Sequence, residues 1–253
     1  MGLETSGRLG LLDTLRGFLL LEMILYHTIW DLVYLFAVDW PWFRGPAAYV
    51  WQQSICWGFI LLSGFCYALG RQPWRRGAAV FGAGVLVTAV TLLFLPDQRV
   101  MFGVLTLLGS CMLLLAPLRR PLERLPAGAG LLAATLCFVL TRNLERGCLG
   151  FEGWRFLILP QGLYRNLITA YFGFPPADFF STDYFPLFPW CFLFLAGYFL
   201  GRICLTHRPK VLTRHCSPLD LLGRHSLPIY LIHQPAVYAG LTLWAVLIPA
   251  QPL

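Results

Sequence analysis

Charge is scarce in this chain of 253 residues. Only 12% of positions are Asp, Glu, Lys or Arg, against roughly a quarter in soluble domains. With a mean hydropathy of +0.66, that scarcity excludes a water-soluble globule. Lysine is almost missing: Lys210 stands alone beside 18 arginines, which points to a GC-rich, bacterial genome. No CxxC occurs, so neither a dithiol nor a metal motif is indicated. No polar linker divides the chain, and residues 1–253 are expected to form a single membrane-embedded domain. Internal repeats are missing too, which argues against the repeat-built transporters.

What the chain does have is hydrophobic residues, 58% of the total, in long runs separated by short arginine-rich loops. Each crossing of the hydrocarbon needs roughly 20 such residues. The pattern predicts an all-α, polytopic membrane helix bundle of about seven transmembrane helices: Leu11–Phe36, Val50–Leu69, Gly77–Leu95, Val100–Leu118, Leu125–Leu140, Pro186–Leu205 and Leu219–Ile248. The opening residues lead straight into a run too long for a signal-peptide core, so no cleavable leader is expected. Six of the eight cysteines fall in or beside apolar runs, where cysteine is a small hydrophobe.

The arginines set the orientation. With the N-terminus in the cytoplasm, 13 basic residues lie inside and 6 outside, as the positive-inside rule requires. The net charge of +7 is therefore read as topology, and no nucleic-acid partner is expected. Thr141–Tyr184 is a long, aromatic-rich stretch on the outer side. A lid over an outward-facing cavity is expected there, or a plain interfacial helix, with "GLYRNLITAYFG" as the helical part.

The first helix carries ionisable groups where lipid would exclude them. Arg16 and His27 are eleven residues apart, about 1100° of rotation, so they share a face roughly 16 Å apart along the axis. Asp31 follows His27 by four and joins that face, and Asp13 can pair with Arg16. Glu22 points about 140° away, toward another helix. Buried charges of this kind cost on the order of 2.5–3.5 kcal/mol each and mark polar paths. An Asp bonded to one imidazole nitrogen leaves the other as a base. The structural alternative is a His–Asp pair that merely joins helices.

A second polar site is "LLGRHSLPIYLIHQP", Leu221–Pro235. Arg224, His225 and Ser226 suit phosphate binding at a helix start. Pro228 is tolerated in a first turn or makes a kink, and Tyr230, His233 and Gln234 then lie about one turn deeper. Here too a bland reading stands beside the functional one: His233 bonded to a nearby carbonyl, Arg224 a topology charge. In "DYFPLFPW", Asp183 is placed to cap the sixth span or to bind a polar acceptor. "FILLSGF" puts Ser63 and Gly64 where helices pack closely.

"RLGLLDTLRGFLLLEMILYHTIWDL", "FILLSGF", "DYFPLFPW" and "LLGRHSLPIYLIHQP", in that order, resemble the heparan-alpha-glucosaminide N-acetyltransferase catalytic-domain family in its short bacterial form. Arg-x10-His in the first helix also resembles the wider transmembrane acyltransferase superfamily. The resemblance implies a multi-pass enzyme of the cell membrane, a bacterial inner membrane here. It would take an acetyl group from cytosolic acetyl-CoA and pass it to a glycan, amino-sugar or lipid acceptor on the outer side, with no metal. On it, His27, Asp31 and His233 are candidate catalytic residues. Arg16, Arg224, Ser226, Tyr230, Arg75 and Arg76 are candidates for holding the acyl-CoA, with Arg71 beside them. Glu22, Gln234 and Asp183 are candidates for the acceptor. One departure stands out: in the lysosomal relative the position matching His27 is not histidine and a histidine lies further along, whereas Phe36–Phe43 holds none here.

Three functions compete on these residues. The first is the acyltransferase. The second is a proton-coupled transporter or flippase using Glu22, His27, Asp31 and His233 as a relay. The third is a purely structural membrane subunit. A homo-oligomer is compatible with all three.

Overall fold

The computed structural model describes residues 9–70, 72–207, 210–214 and 216–247. In chain order the elements are α1 (Gly10–Tyr34), a 3-10 turn (Pro41–Arg44), α2 (Pro46–Leu69), α3 (Pro73–Phe94), α4 (Val104–Arg124) and α5 (Ala127–Thr141). A small antiparallel hairpin follows, β1 (Cys148–Phe151) and β2 (Trp154–Ile158), then α6 (Leu167–Phe172), α7 (Leu187–His207), α8 (Ser217–Arg224) and α9 (Ser226–Leu247). The fold is all-α apart from that hairpin, and the protein is a polytopic membrane protein.

Five stretches have both the length and the apolarity to cross a membrane: α1, α3, α4, α7 and the α5 stretch Ala127–Arg146. The sequence predicts two more, and α2 and α9 do reach 24 and 22 residues. Gln52 and Gln53 in α2, and His233 and Gln234 in α9, dilute their apolar character.

Two expectations change. The predicted final helix, Leu219–Ile248, is two helices with a break at His225 (φ −105°, ψ 23°); Ile248 lies outside the described residues. Pro228 explains the break. Its ring would strike the carbonyl four residues back, at Arg224, in a continuous helix, yet it is tolerated in the first turn of a new one. Thr141–Tyr184 holds the β-hairpin as well as the predicted short helix. That helix, α6, is capped at its start by Asn166, whose side chain accepts from Ile168 and Thr169 N–H, and ends at Gly173 with φ 109°.

The described residues form two compact units, one through Phe59 and again from residue 210 onward, the other Ile60–His207. In the first, α1 packs on α8 backbone to backbone. A Cβ at Gly17 would collide with the Leu219 carbonyl, and one at Gly223 with the Asp13 carbonyl. Above that contact Leu20, Met23 and Ile55 form a buried cluster, with Val33, Phe43 and Ala48 as a second. In the second unit Leu107, Cys111, Phe138, Trp190 and Phe194 are buried, and Gly64 lies against the Phe194 carbonyl, the close packing its motif predicts. Arg202 closes the end of α4 there, donating to the carbonyls of Leu122, Glu123 and Leu125 at 2.7, 2.9 and 3.0 Å.

Candidate active site

The first unit gathers most of the candidate residues along α1, from its N-terminal end inward. At that end Arg16 Nη1 lies 3.1 Å from Asp13 Oδ1, and Arg224 Nε lies 3.8 Å from Asp13 Oδ2. Asp13 thus holds one arginine from α1 and one from α8. Thr14 Oγ1 donates to Asp220 and accepts from the Cys216 N–H at 3.0 Å. The close approach that Gly17 and Gly223 allow is what brings these groups within reach. Arg224 keeps 47% of its side chain exposed, against 23% for Arg16. Ser226, two residues on, begins α9.

Further along α1, Glu22 leaves the Arg16–His27 face and meets α2, as its angular offset requires. Its Oε2 accepts from Trp51 Nε1 at 2.7 Å. Trp51 also packs edge-on against Tyr26, with ring centroids 5.3 Å apart.

His27 of α1 and His233 of α9 face each other, ring centroids 5.0 Å apart. His233 Nδ1 lies 2.6 Å from the Tyr230 carbonyl oxygen. A carbonyl only accepts, so Nδ1 carries the hydrogen and Nε2 of the neutral ring presents a lone pair. The bland reading of His233, a bond to a nearby carbonyl, is therefore the very contact that sets its tautomer.

Asp31 departs from expectation. Among the described residues no hydrogen bond joins it to His27. Its Oδ1 accepts from Gln234 Nε2 at 2.7 Å instead. Asp31 shares a face with His27 through the i, i+4 spacing, but α9 brings a better-directed donor. Asp31 is fully buried, at 0% exposure, and His233 is 8% exposed.

Three buried atoms around this point have no hydrogen-bond partner: Asp31 Oδ2, Gln234 Oε1 and His233 Nε2. All three are acceptors. Buried polar groups are nearly always satisfied, and three orphaned acceptors on neighbouring side chains call for something that donates. An amine, a hydroxyl or water meets that need; a bare anion does not.

The remaining candidates belong to the second unit. Arg75 and Arg76 are exposed in the first turn of α3, with Arg75 Nη1 donating to Gln72 at 3.4 Å. Arg71 lies outside the described residues. Asp183 caps a helix, but not the one it precedes: Oδ2 accepts from the Val104 N–H at 3.1 Å, at the start of α4. Burial pushes its carboxyl up to about 6, against the pull of that N–H. Among the described residues no cluster of His, Cys, Asp and Glu could hold a metal.

Trp51, Thr14 and Asp220 join the site without any motif in the sequence that marks them. Trp51 had a signal, since a helix carrying Glu22 toward a neighbour needs a donor there and "YVWQQS" supplies an indole.

A model of one protein family, heparan-alpha-glucosaminide N-acetyltransferase, catalytic, matches residues 8–235. That span runs from the start of α1 through Gln234 and so takes in every candidate residue above. No curated protein and no solved structure matches the chain.

Proposed function

We propose that this chain, which belongs to the heparan-alpha-glucosaminide N-acetyltransferase catalytic family, moves an acetyl group from cytosolic acetyl-CoA to an amino-sugar, glycan or lipid acceptor on the outer side of the cell membrane. Family membership gives membrane acetyltransferase chemistry in general; the donor, the acceptor and the residue roles are the proposal. The observation that carries it is the cluster of three orphaned acceptors beside the His27–His233 pair.

In this reading Asp31 Oδ2 and Gln234 Oε1 orient the acceptor by taking its N–H or O–H hydrogens. His233 Nε2 removes the proton as the acceptor's nitrogen or oxygen bonds to the thioester carbonyl carbon. The C–S bond then breaks, and the imidazolium returns its proton to the departing CoA thiolate. The products are the acetylated acceptor and free CoA, with His233 restored. Arg224, half exposed beside the start of α9, suits the phosphates of CoA. Arg16 is engaged by Asp13 and holds the mouth in shape.

Purified protein in detergent, given acetyl-CoA and glucosamine-bearing oligosaccharides, should release CoA thiol only when both are present. Release that ignores the acceptor, or none with any amine or hydroxyl offered, would contradict the proposal.

A further inference from the structure

Between α5 and α7 the chain carries large apolar side chains into the open. In β2, Trp154, Phe156, Leu157 and Ile158 are 54, 66, 53 and 79% exposed. A strand like this, with one unpaired edge, is an aggregation hazard in water. Its depth decides what covers it.

Both ends of β2 are tied to the end of the α5 stretch. Asn143, buried two residues past α5, donates its side-chain amide to the carbonyls of Glu152 and Trp154 at 2.9 and 3.0 Å. At the other end the Leu159 N–H donates to the Gly147 carbonyl at 2.9 Å. The hairpin therefore cannot swing out into water; it stays level with the point where the span Ala127–Arg146 ends. The Tyr164 hydroxyl donates to the Leu144 carbonyl at 2.7 Å, tying the approach to α6 to the same place. Arg146, Arg155 and Arg165 are exposed around this apolar surface.

We propose that the hairpin and the approach to α6 rest in the interfacial layer of the bilayer, with phospholipid as their partner. Trp and Phe at the acyl boundary with arginines on headgroup phosphates is the composition that layer selects. The open edge of β2 bars a deeper position, because unpaired backbone groups are not tolerated in hydrocarbon. The bulge opposite Leu149/Gly150 leaves one residue of β2 outside the paired register, which also favours a hydrated layer over the core. The inference is independent of what the protein transfers.

The test is photo-crosslinking in the full-length protein. p-Benzoylphenylalanine replaces Phe156 in one sample and Leu93, 76% exposed on α3, in another. Both are irradiated in nanodiscs of phosphatidylethanolamine and phosphatidylglycerol, and intact masses are read. A phospholipid adduct at position 156 as well as at 93 is the expected result. A covalent dimer at 156, or no adduct there while 93 still captures lipid, would overturn the proposal.

Discussion

His27 and His233 meet ring to ring at 5.0 Å, one from α1 and one from α9, and only His233 has its tautomer set by a backbone carbonyl, that of Tyr230 at 2.6 Å. That asymmetry separates the two imidazoles. His233→Ala should lower kcat for acetyl transfer by roughly 10²–10⁴, the usual worth of a positioned base, with KM for acetyl-CoA little changed. His27→Ala should cost less. Steady-state kinetics of the two variants side by side checks this, and the reverse ranking would move the base to His27.

Asp31 and Gln234 hold each other across α1 and α9. Asp31→Leu strands the Gln234 amide in a buried site, which should cost about 1–3 kcal/mol and lower the thermal midpoint in detergent. Asp31→Asn keeps a carbonyl oxygen for the Gln234 N–H, so its midpoint should stay near wild type. It replaces the second carboxylate oxygen with a donor, and transfer activity should fall. Loss of activity without loss of stability in Asp31→Asn is the expected pattern. Equal melting of both variants would assign Asp31 a structural part alone.

Glycine substitutions should divide by sign. Gly17→Ala drives a methyl into the Leu219 carbonyl, and backbone cannot yield as a side chain end can. A loss on the order of 1–3 kcal/mol follows, together with loosening of the Asp13–Arg224 contact. Gly82→Ala in α3 meets nothing within 4 Å and should gain up to about 1 kcal/mol from helix propensity. Thermal midpoints of the two variants should move in opposite directions.

Asp183 gives a pH signature. Its carboxyl is raised from 3.8 to about 6 by burial, so the folded protein holds that proton where the unfolded chain has lost it. The stability it contributes is complete below about pH 4 and is lost as pH rises through about 6. Asp183→Asn keeps an acceptor for the Val104 N–H and removes the titration. The difference in thermal midpoint between variant and wild type should therefore grow in the variant's favour from pH 4 to pH 7. A flat difference would contradict the assignment.

Helix one and its polar face were readable from spacing alone, because eleven and four residues translate directly into angles on one helix. Asp31 shows where that reading stops. Its partner, Gln234, is 203 residues away, and no periodicity within α1 could name it. Asp183 failed in the same way: a residue preceding a proline-rich helix start suggests a local cap, yet tertiary packing delivers it to Val104. The break at His225 was legible in Pro228, which suits a first turn or a kink, although the apolar run reads through it as one span. The β2 hairpin was hidden because "WRFLI" alternates only over three residues before Leu157 and Ile158 run on as consecutive apolar positions, too short a pattern to mark a half-buried strand. Family membership reinforces what was legible, the order of four motifs, and leaves the acceptor to experiment.

Sealed proteoliposomes test the account most directly. Acetyl-CoA is placed only on the face bearing the N-terminus of α1, and a glucosamine oligosaccharide only on the other. Wild-type protein should acetylate the oligosaccharide across the bilayer, and His233→Ala should not. Transfer retained by His233→Ala, or acetylation only when donor and acceptor share one side, would contradict it.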